Sequence, residues 1–315
     1  METLQPHPLI KLTYADVRNT RKFYEIDDVR RINESLDSVV EWLTKQRHLE
    51  EASKFLTRVI LERLFILARG SIEGTKQKID KMFTCRGLMS ELCLNRRLPE
   101  FEKLWECVNY VPLPKLSPYD QSRVMVTQFL TDELEDFSLL SYFRYSFLIG
   151  EYRLNYDYSL QERFIIDLKN IRQFSLISKI NPIVVRKSEK LCSEGYGTKI
   201  KGIHLLNAPA FVDKLISLLK QALKEKVASR IHVHNSYEDL HKHVGREILP
   251  KDYGGDEMSC DKLAEQWREV LRSEEASKIM IDFDKLVADE TKRQASNFNQ
   301  EYLGMPGSFR KLIVD

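Results

Sequence analysis

Between residues 123 and 234, short apolar runs alternate with longer stretches of helical spacing. No other feature of this 315-residue sequence constrains the fold as tightly. The short runs are 123–130 (RVMVTQFL), 162–168 (ERFIIDL), 199–206 (KIKGIHLL) and 230–234 (RIHVH), each of strand length. Helical stretches at 138–154, 182–193 and 209 to about 226 separate them. Strands alternating with helical crossovers specify an α/β sheet. Twelve glycines and ten prolines are few for this length, which disfavours an all-β sandwich or barrel built on many tight turns.

Upstream, the period is helical throughout. Val29, Ile32, Leu36, Val39, Val40 and Leu43 recur at three and four residues, a second run from Leu56 to Leu67 stops at Gly70, and a third covers residues 73–94. Pro112, Pro114 and Pro118 read as a linker. The expected organisation is an arm over residues 1–24, a helical unit over 25–97, a linker over 98–118, an α/β unit over 119–257, and a helix with a tail over 258–315.

Forty-nine Lys and Arg against 47 Asp and Glu leave a net charge of +2, which does not suggest a nucleic-acid binder with a globally basic surface. Cys85, Cys93, Cys107, Cys192 and Cys260 are odd in number and scattered, as reduced cytosolic thiols would be. The N-terminal residues lack the basic and apolar regions of a signal peptide, and no run of 18 apolar residues occurs. A cytoplasmic protein is therefore expected.

Catalytic and cofactor motifs do not emerge. There is no G-x-S-x-G elbow, no H-E-x-x-H and no phosphate-binding loop, and Gly195-Tyr196-Gly197 precedes a strand where a dinucleotide fingerprint must follow one. His232, His234, His241 and His243 cluster without an accompanying acidic or cysteine ligand, so core or surface histidines are expected and no metal. Residues 186–230 hold ten basic side chains against four acidic ones, a local +6 within a near-neutral chain. Such an excess suits either phosphates on a membrane surface or a solvated face. Within it, Phe211, Leu215, Leu218 and Ala222 form one apolar stripe, and Val212, Ile216, Leu219 and Leu223 a second beside it. The double stripe fits a fully buried helix or one that alternates between partners.

Three segments carry a resemblance. Residues 201–209 (KGIHLLNAP), 230–234 (RIHVH) and 248–255 (ILPKDYGG), in this order, resemble the CRAL-TRIO lipid-binding family, in the branch of the alpha-tocopherol transfer protein and cellular retinaldehyde-binding protein. The ending Gly307-Ser308-Phe309-Arg310-Lys311-Leu312 is similar to insect-type members, and Phe65-Ile66-Leu67-Ala68-Arg69 to the family's helical domain. The resemblance implies an all-helical N-terminal domain followed by an α/β domain, with a mixed sheet and a gate helix (209–224) closing an apolar pocket. Its implied lining is Phe143, Ser146, Phe147, Gly150, Phe164, Ile166, Ile180, Leu191, Phe211, Leu215 and Leu218. Four phosphoinositide-binding positions of the tocopherol protein match Lys199, Lys201, Lys226 and Arg230, one of them Lys where that relative has Arg.

Departures occur at Asn170, which replaces a family glycine, and at Cys192, Tyr196 and Gly197-Thr198. They fall on the pocket wall, so the resemblance implies no particular ligand. The implied function is a monomeric, non-enzymatic carrier of a small hydrophobic ligand. It would exchange that ligand with phosphoinositide-containing membranes through transient peripheral contact. A lipid-sensing scaffold without transfer activity stands as the alternative.

Overall fold

The computed structural model describes residues 4–172 and 174–293. Its N-terminal part is helical, with α1 (Tyr14–Lys22), α2 (Val29–Leu43), α3 (Arg58–Leu67) and α4 (Ile72–Leu88). Each start is fixed by a side-chain cap: Asp28 accepts from the Arg30 and Arg31 amides, Thr57 from Ile60 and Ser71 from Gly74. Such a cap contributes about 1 kcal/mol. The apolar stripe Ile32, Leu36, Val39 and Leu43 shares one core with Leu64, Phe65, Ile79 and Phe83.

The sheet has five strands in sequential order: β1 (Val108–Pro112), β2 (Ser122–Phe129), β3 (Gln161–Asp167), β4 (Ile200–Leu206) and β5 (Ile231–His234). β1 runs antiparallel to β2, and every later pair is parallel. Parallel neighbours need crossovers, and α5 (Leu139–Arg153), α6 (Pro182–Lys190) and α7 (Val212–Ala222) lie in the three that join β2 to β5. A sheet with helical crossovers is thus what the alternation specified, and its mixed character, which the resemblance implied, comes from β1. Residues 98–118 depart from the expected linker, since they contain a short helix, Glu102–Cys107, and the fully buried edge strand β1. Pro112 ends that strand, at a sheet edge where a missing N–H is tolerated.

Beyond β5, α8 (Cys260–Leu271) packs on β1, with Trp267 fully buried and its indole N–H donating to the Pro112 carbonyl at 3.2 Å. α9 (Glu274–Asp284) follows. A buried ionic network then joins the helical part to the sheet-bearing part. Arg86 of α4 pairs with Glu151 of α5, Arg96 pairs with the same carboxylate, and the Tyr196 hydroxyl donates to it. Arg86 also donates to the Leu286 and Phe283 carbonyls at 2.9 and 2.5 Å.

Among the described residues, no helix is long and apolar enough to cross a membrane. The ending at residues 307–312 lies outside the described residues.

Candidate functional site

A cavity of about 260 Å³ lies between the sheet and the helices α5, α6 and α7. Folded interiors leave few voids larger than a water molecule, so this space is no packing defect. Alternation along β3 brings Glu162, Phe164 and Ile166 to one face of the sheet, and all three line the cavity. On α5, the i, i+3, i+4, i+7 spacing places Phe143, Ser146, Phe147 and Gly150 on the opposing wall. No atom lies within 4 Å of where a Cβ on Gly150 would sit. Ile180 precedes α6 on the wall, and Leu215, Leu219 and Leu223 close it from α7 and its end.

Eight of the eleven pocket positions read from the sequence therefore stand at this cavity, and three do not. Leu191 is fully buried in the core of the helical part. It opens a π-helical turn, Leu191–Gly195, closed by the Tyr196 amide bonding back to the Leu191 carbonyl at 2.9 Å. This wider turn leaves Cys192 on the wall instead. Phe211 packs against Phe174 with the rings tilted and their centres 4.8 Å apart, outside the lining. Leu218 falls beside the lining row 215, 219, 223, whose four-residue steps draw on both sequence stripes.

α7 is held at its C-terminal end. Lys224 approaches Glu194 at 2.6 Å and Glu189 at 3.9 Å, and Arg186 donates to the Gln221 carbonyl at 3.2 Å.

One corner of the cavity is polar. Asp157 accepts from Arg123 at 2.7 and 2.9 Å and from Arg153 at 2.8 and 3.0 Å. Burial opposes its ionisation, but the two guanidiniums overcome that and hold the carboxyl well below the usual range. Glu162 receives only Arg153, at 3.2 Å, and burial raises its pKa. Sequence reading missed Glu162 and the neighbouring Ser188 and Glu189. An acidic residue opening an apolar strand was the available signal for Glu162, but ERFIIDL was read for its apolar face.

The four basic positions gather around the start of β4. Lys199 donates to the Tyr24 hydroxyl, and its ammonium lies 4.7 Å from that ring's centre. Arg230 donates to the Ile200 carbonyl, while Lys201 and Lys226 are exposed. None of the four makes an ion pair among the described residues. Lys78 of α4 joins them, and Gly197, at φ +68°, lets it approach because any Cβ there would collide with its ammonium. Burial, then Lys199, Lys81 and Arg69, lowers Lys78 to about 8. This crowding of positive charge gives the start of β4 a local positive potential.

On β4 and β5, His204 stacks with His232 and His234, His243 lies tilted against all three, and the His204 and His234 rings hydrogen-bond at 2.9 Å. His241 pairs instead with the Tyr253 carbonyl at 2.9 Å. Among the described residues, no group of three or more His, Cys, Asp or Glu side chains is arranged to hold a metal ion.

Comparison with known proteins agrees with this geometry. The CRAL/TRIO domain model matches residues 119–255. The chain is 32% identical over 112 residues to the alpha-tocopherol transfer protein-like protein of Homo sapiens, covering 35% of this chain and 32% of that relative. It is 34% identical over 92 residues to clavesin-2 of Homo sapiens, covering 29% of this chain and 28% of that protein. The matched stretch thus spans about a third of the length of these curated relatives. The crystal structure of Sfh5 superposes with a TM-score of 0.45 at 14% identity, covering 81% of this chain and 93% of that one. Residues 119–255, which hold β2 to β5 and most of the cavity wall, are a CRAL/TRIO domain.

Proposed function

We infer that this protein is a non-enzymatic carrier. It holds one small hydrophobic molecule in the cavity and exchanges it with membranes. The family binds lipophilic ligands and transfers them. The observation that carries the reading for this chain is the largely apolar cavity walled by Phe143, Phe147, Phe164, Ile166 and Leu215. Burying a ligand there gains about 0.8 kcal/mol for each methylene taken out of water. Extraction from a bilayer gains far less, because lipid tails are already apolar. Exchange is therefore controlled by opening at the membrane and not by affinity alone.

α7 is the element that opens, held by an apolar row on one side and by the Lys224 contacts at its end. Phe174 and Ile183, 59% and 66% exposed beside it, offer apolar contact to a bilayer. Lys199, Lys201, Lys226 and Arg230 would engage anionic phosphoinositide headgroups, each cation near the surface contributing about 1 kcal/mol.

The test is solvent extraction and native mass spectrometry of the purified protein. A copurifying lipid in one-to-one ratio is the expected result. A protein that is reproducibly empty and takes up no lipid from vesicles contradicts the carrier and favours the scaffold.

A further inference from the structure

Four imidazoles gather on the face of the sheet turned away from the cavity, and the carrier reading uses none of them. Ile203 and Leu205 line the cavity, so alternation turns His204 to the other face. The register pairs His204 with His232 and Leu206 with His234, which places both β5 histidines on that same face. His243 joins them from the turn after the short helix Tyr237–His241. All six ring pairs have centres 5.1–6.3 Å apart. Gly202 makes room for the innermost ring, because a Cβ there would come within 2.5 Å of His204 Nε2. His204 is fully buried, and that Nε2 has no hydrogen-bond partner among the described residues. His232 and His243 are half-buried and within reach of water.

The 2.9 Å bond between His204 Nδ1 and His234 Nε2 needs one N–H and one lone pair. Two charged rings would present N–H to N–H and break it. The surrounding charges give a protonated cluster little relief. Arg163 on β3 disfavours charge on His204 and His243, and Lys242 does the same to His243. Asp239 favours charge on His234 and His243, but it already pairs with Lys242 at 2.8 Å. Asp167, farther along β3, accepts from Asn207, Tyr253 and the Lys169 amide. The rings therefore take up protons more readily once they separate, and acidity in turn drives the separation. β5 is the element able to move: it has four residues, forms the sheet edge and pairs only with β4 among the described residues. Arg230 stands immediately before it. The Arg230 carbonyl accepts from the Ile203 amide at 2.9 Å, and its guanidinium donates to the Ile200 carbonyl. The strand that carries two of the histidines thus also sets the position of one member of the basic patch.

We propose that His204, His232, His234 and His243 form an acid-sensitive latch, whose protonation frees β5 from β4, carries Arg230 away from Lys199 and Lys201, and so loosens the protein's hold on an anionic surface in acidic surroundings. The latch stands on the cluster alone. Its consequence for membranes rests on the reading that the basic patch engages anionic headgroups.

The test is amide hydrogen exchange of the full chain at pH 7.5 and 5.5, expressed as protection factors so that intrinsic rates cancel. A histidine that charges only when released, with an ordinary pKa of about 6.5, favours the open form about tenfold at the lower pH. The amides of Ile203 and of β5 should therefore lose protection at least about tenfold, while those of β2 and β3 change less than about twofold. His204→Gln should retain less than about a third of that loss. His243→Gln, at a half-buried position, should narrow it in the same direction and stands in if His204→Gln fails to fold. In parallel, sedimentation with phosphatidylcholine vesicles containing phosphatidylinositol bisphosphate should show wild-type binding falling at least about threefold between the two pH values, and less in His243→Gln. Comparing the two proteins at each pH removes the lipid's own titration. Unchanged protection in β5, or an equal loss across β2 and β3, overturns the latch. A loss confined to β5, with vesicle binding that falls no more in the wild type than in the variant, overturns its link to the basic patch. If the vesicles bind at neither pH, the phosphoinositide reading fails and takes that link with it, while exchange still decides the latch.

Discussion

Lys224 reaches from the end of α7 to Glu194 in the π-helical turn, 2.6 Å away, and so fastens the helix that covers the cavity. Both partners are partly exposed, which limits such a pair to about 0.2–1 kcal/mol. That is too little to decide whether the protein folds but enough to bias an opening equilibrium. Lys224→Gln is expected to speed release of a bound fluorescent lipid about two- to fivefold in stopped flow. Melting should be nearly unchanged. An unchanged release rate would mean the contact does not restrain α7.

Gly150 offers a cleaner handle on the cavity, because a side chain placed there meets open space. Gly150→Ala should raise stability by roughly 0.5–1 kcal/mol, since glycine is costly inside a helix. Gly150→Leu should keep the fold and weaken lipid binding by about tenfold or more by occupying the ligand's volume, the equivalent of about 1.4 kcal/mol. Denaturant titration and probe titration read the two effects separately.

Arg86 lies fully buried against Glu151, where α4 meets α5. Arg86→Leu leaves that carboxylate buried with Arg96 and Tyr196 alone. Removing one member of a buried pair costs about 3–5 kcal/mol. Urea unfolding should show a loss of that size.

The histidines set the acid limit. Burial, then His234, Arg163, His232 and His243, lowers His204 to about 2, and burial lowers His7 to about 4. These folded values lie below the unfolded value of about 6.5. The unfolded chain therefore takes up protons that the folded one refuses. The stability from these groups is complete above pH 6.5 and is lost as pH falls below it. Urea midpoints should drop between pH 7.5 and 5.5, and His204→Gln should flatten that slope. A midpoint independent of pH would contradict the assignment.

Much of this was legible in the sequence because period and burial coincide. The parallel strands alternate with amphipathic crossovers, and the row 143, 146, 147, 150 lies on one helical face by geometry alone. β1 was hidden because Pro112 and its neighbours look like loop when edge position is unknown. Leu191 was misplaced because a π-helical turn changes the facing of the residues within it and leaves no mark in the apolar pattern. α7 has apolar neighbours on two sides, so its spacing could not say which row meets the cavity. The polar part of the wall was invisible for a related reason: Glu162, Ser188 and Glu189 line one cavity only when β3 and α6 are in place.

The central claim, exchange of a buried lipid at an anionic membrane, is tested most directly by vesicle transfer. Parinaryl alcohol would be loaded in neutral donor vesicles, with acceptors lacking or containing phosphatidylinositol bisphosphate. The wild type should transfer at least about tenfold faster to the phosphoinositide-containing acceptors, given about 1 kcal/mol for each engaged cation. The fourfold variant Lys199→Ala, Lys201→Ala, Lys226→Ala and Arg230→Ala should lose that acceleration while binding the probe as tightly as before. Equal rates to both acceptors for the wild type, or an unimpaired variant, would contradict the account.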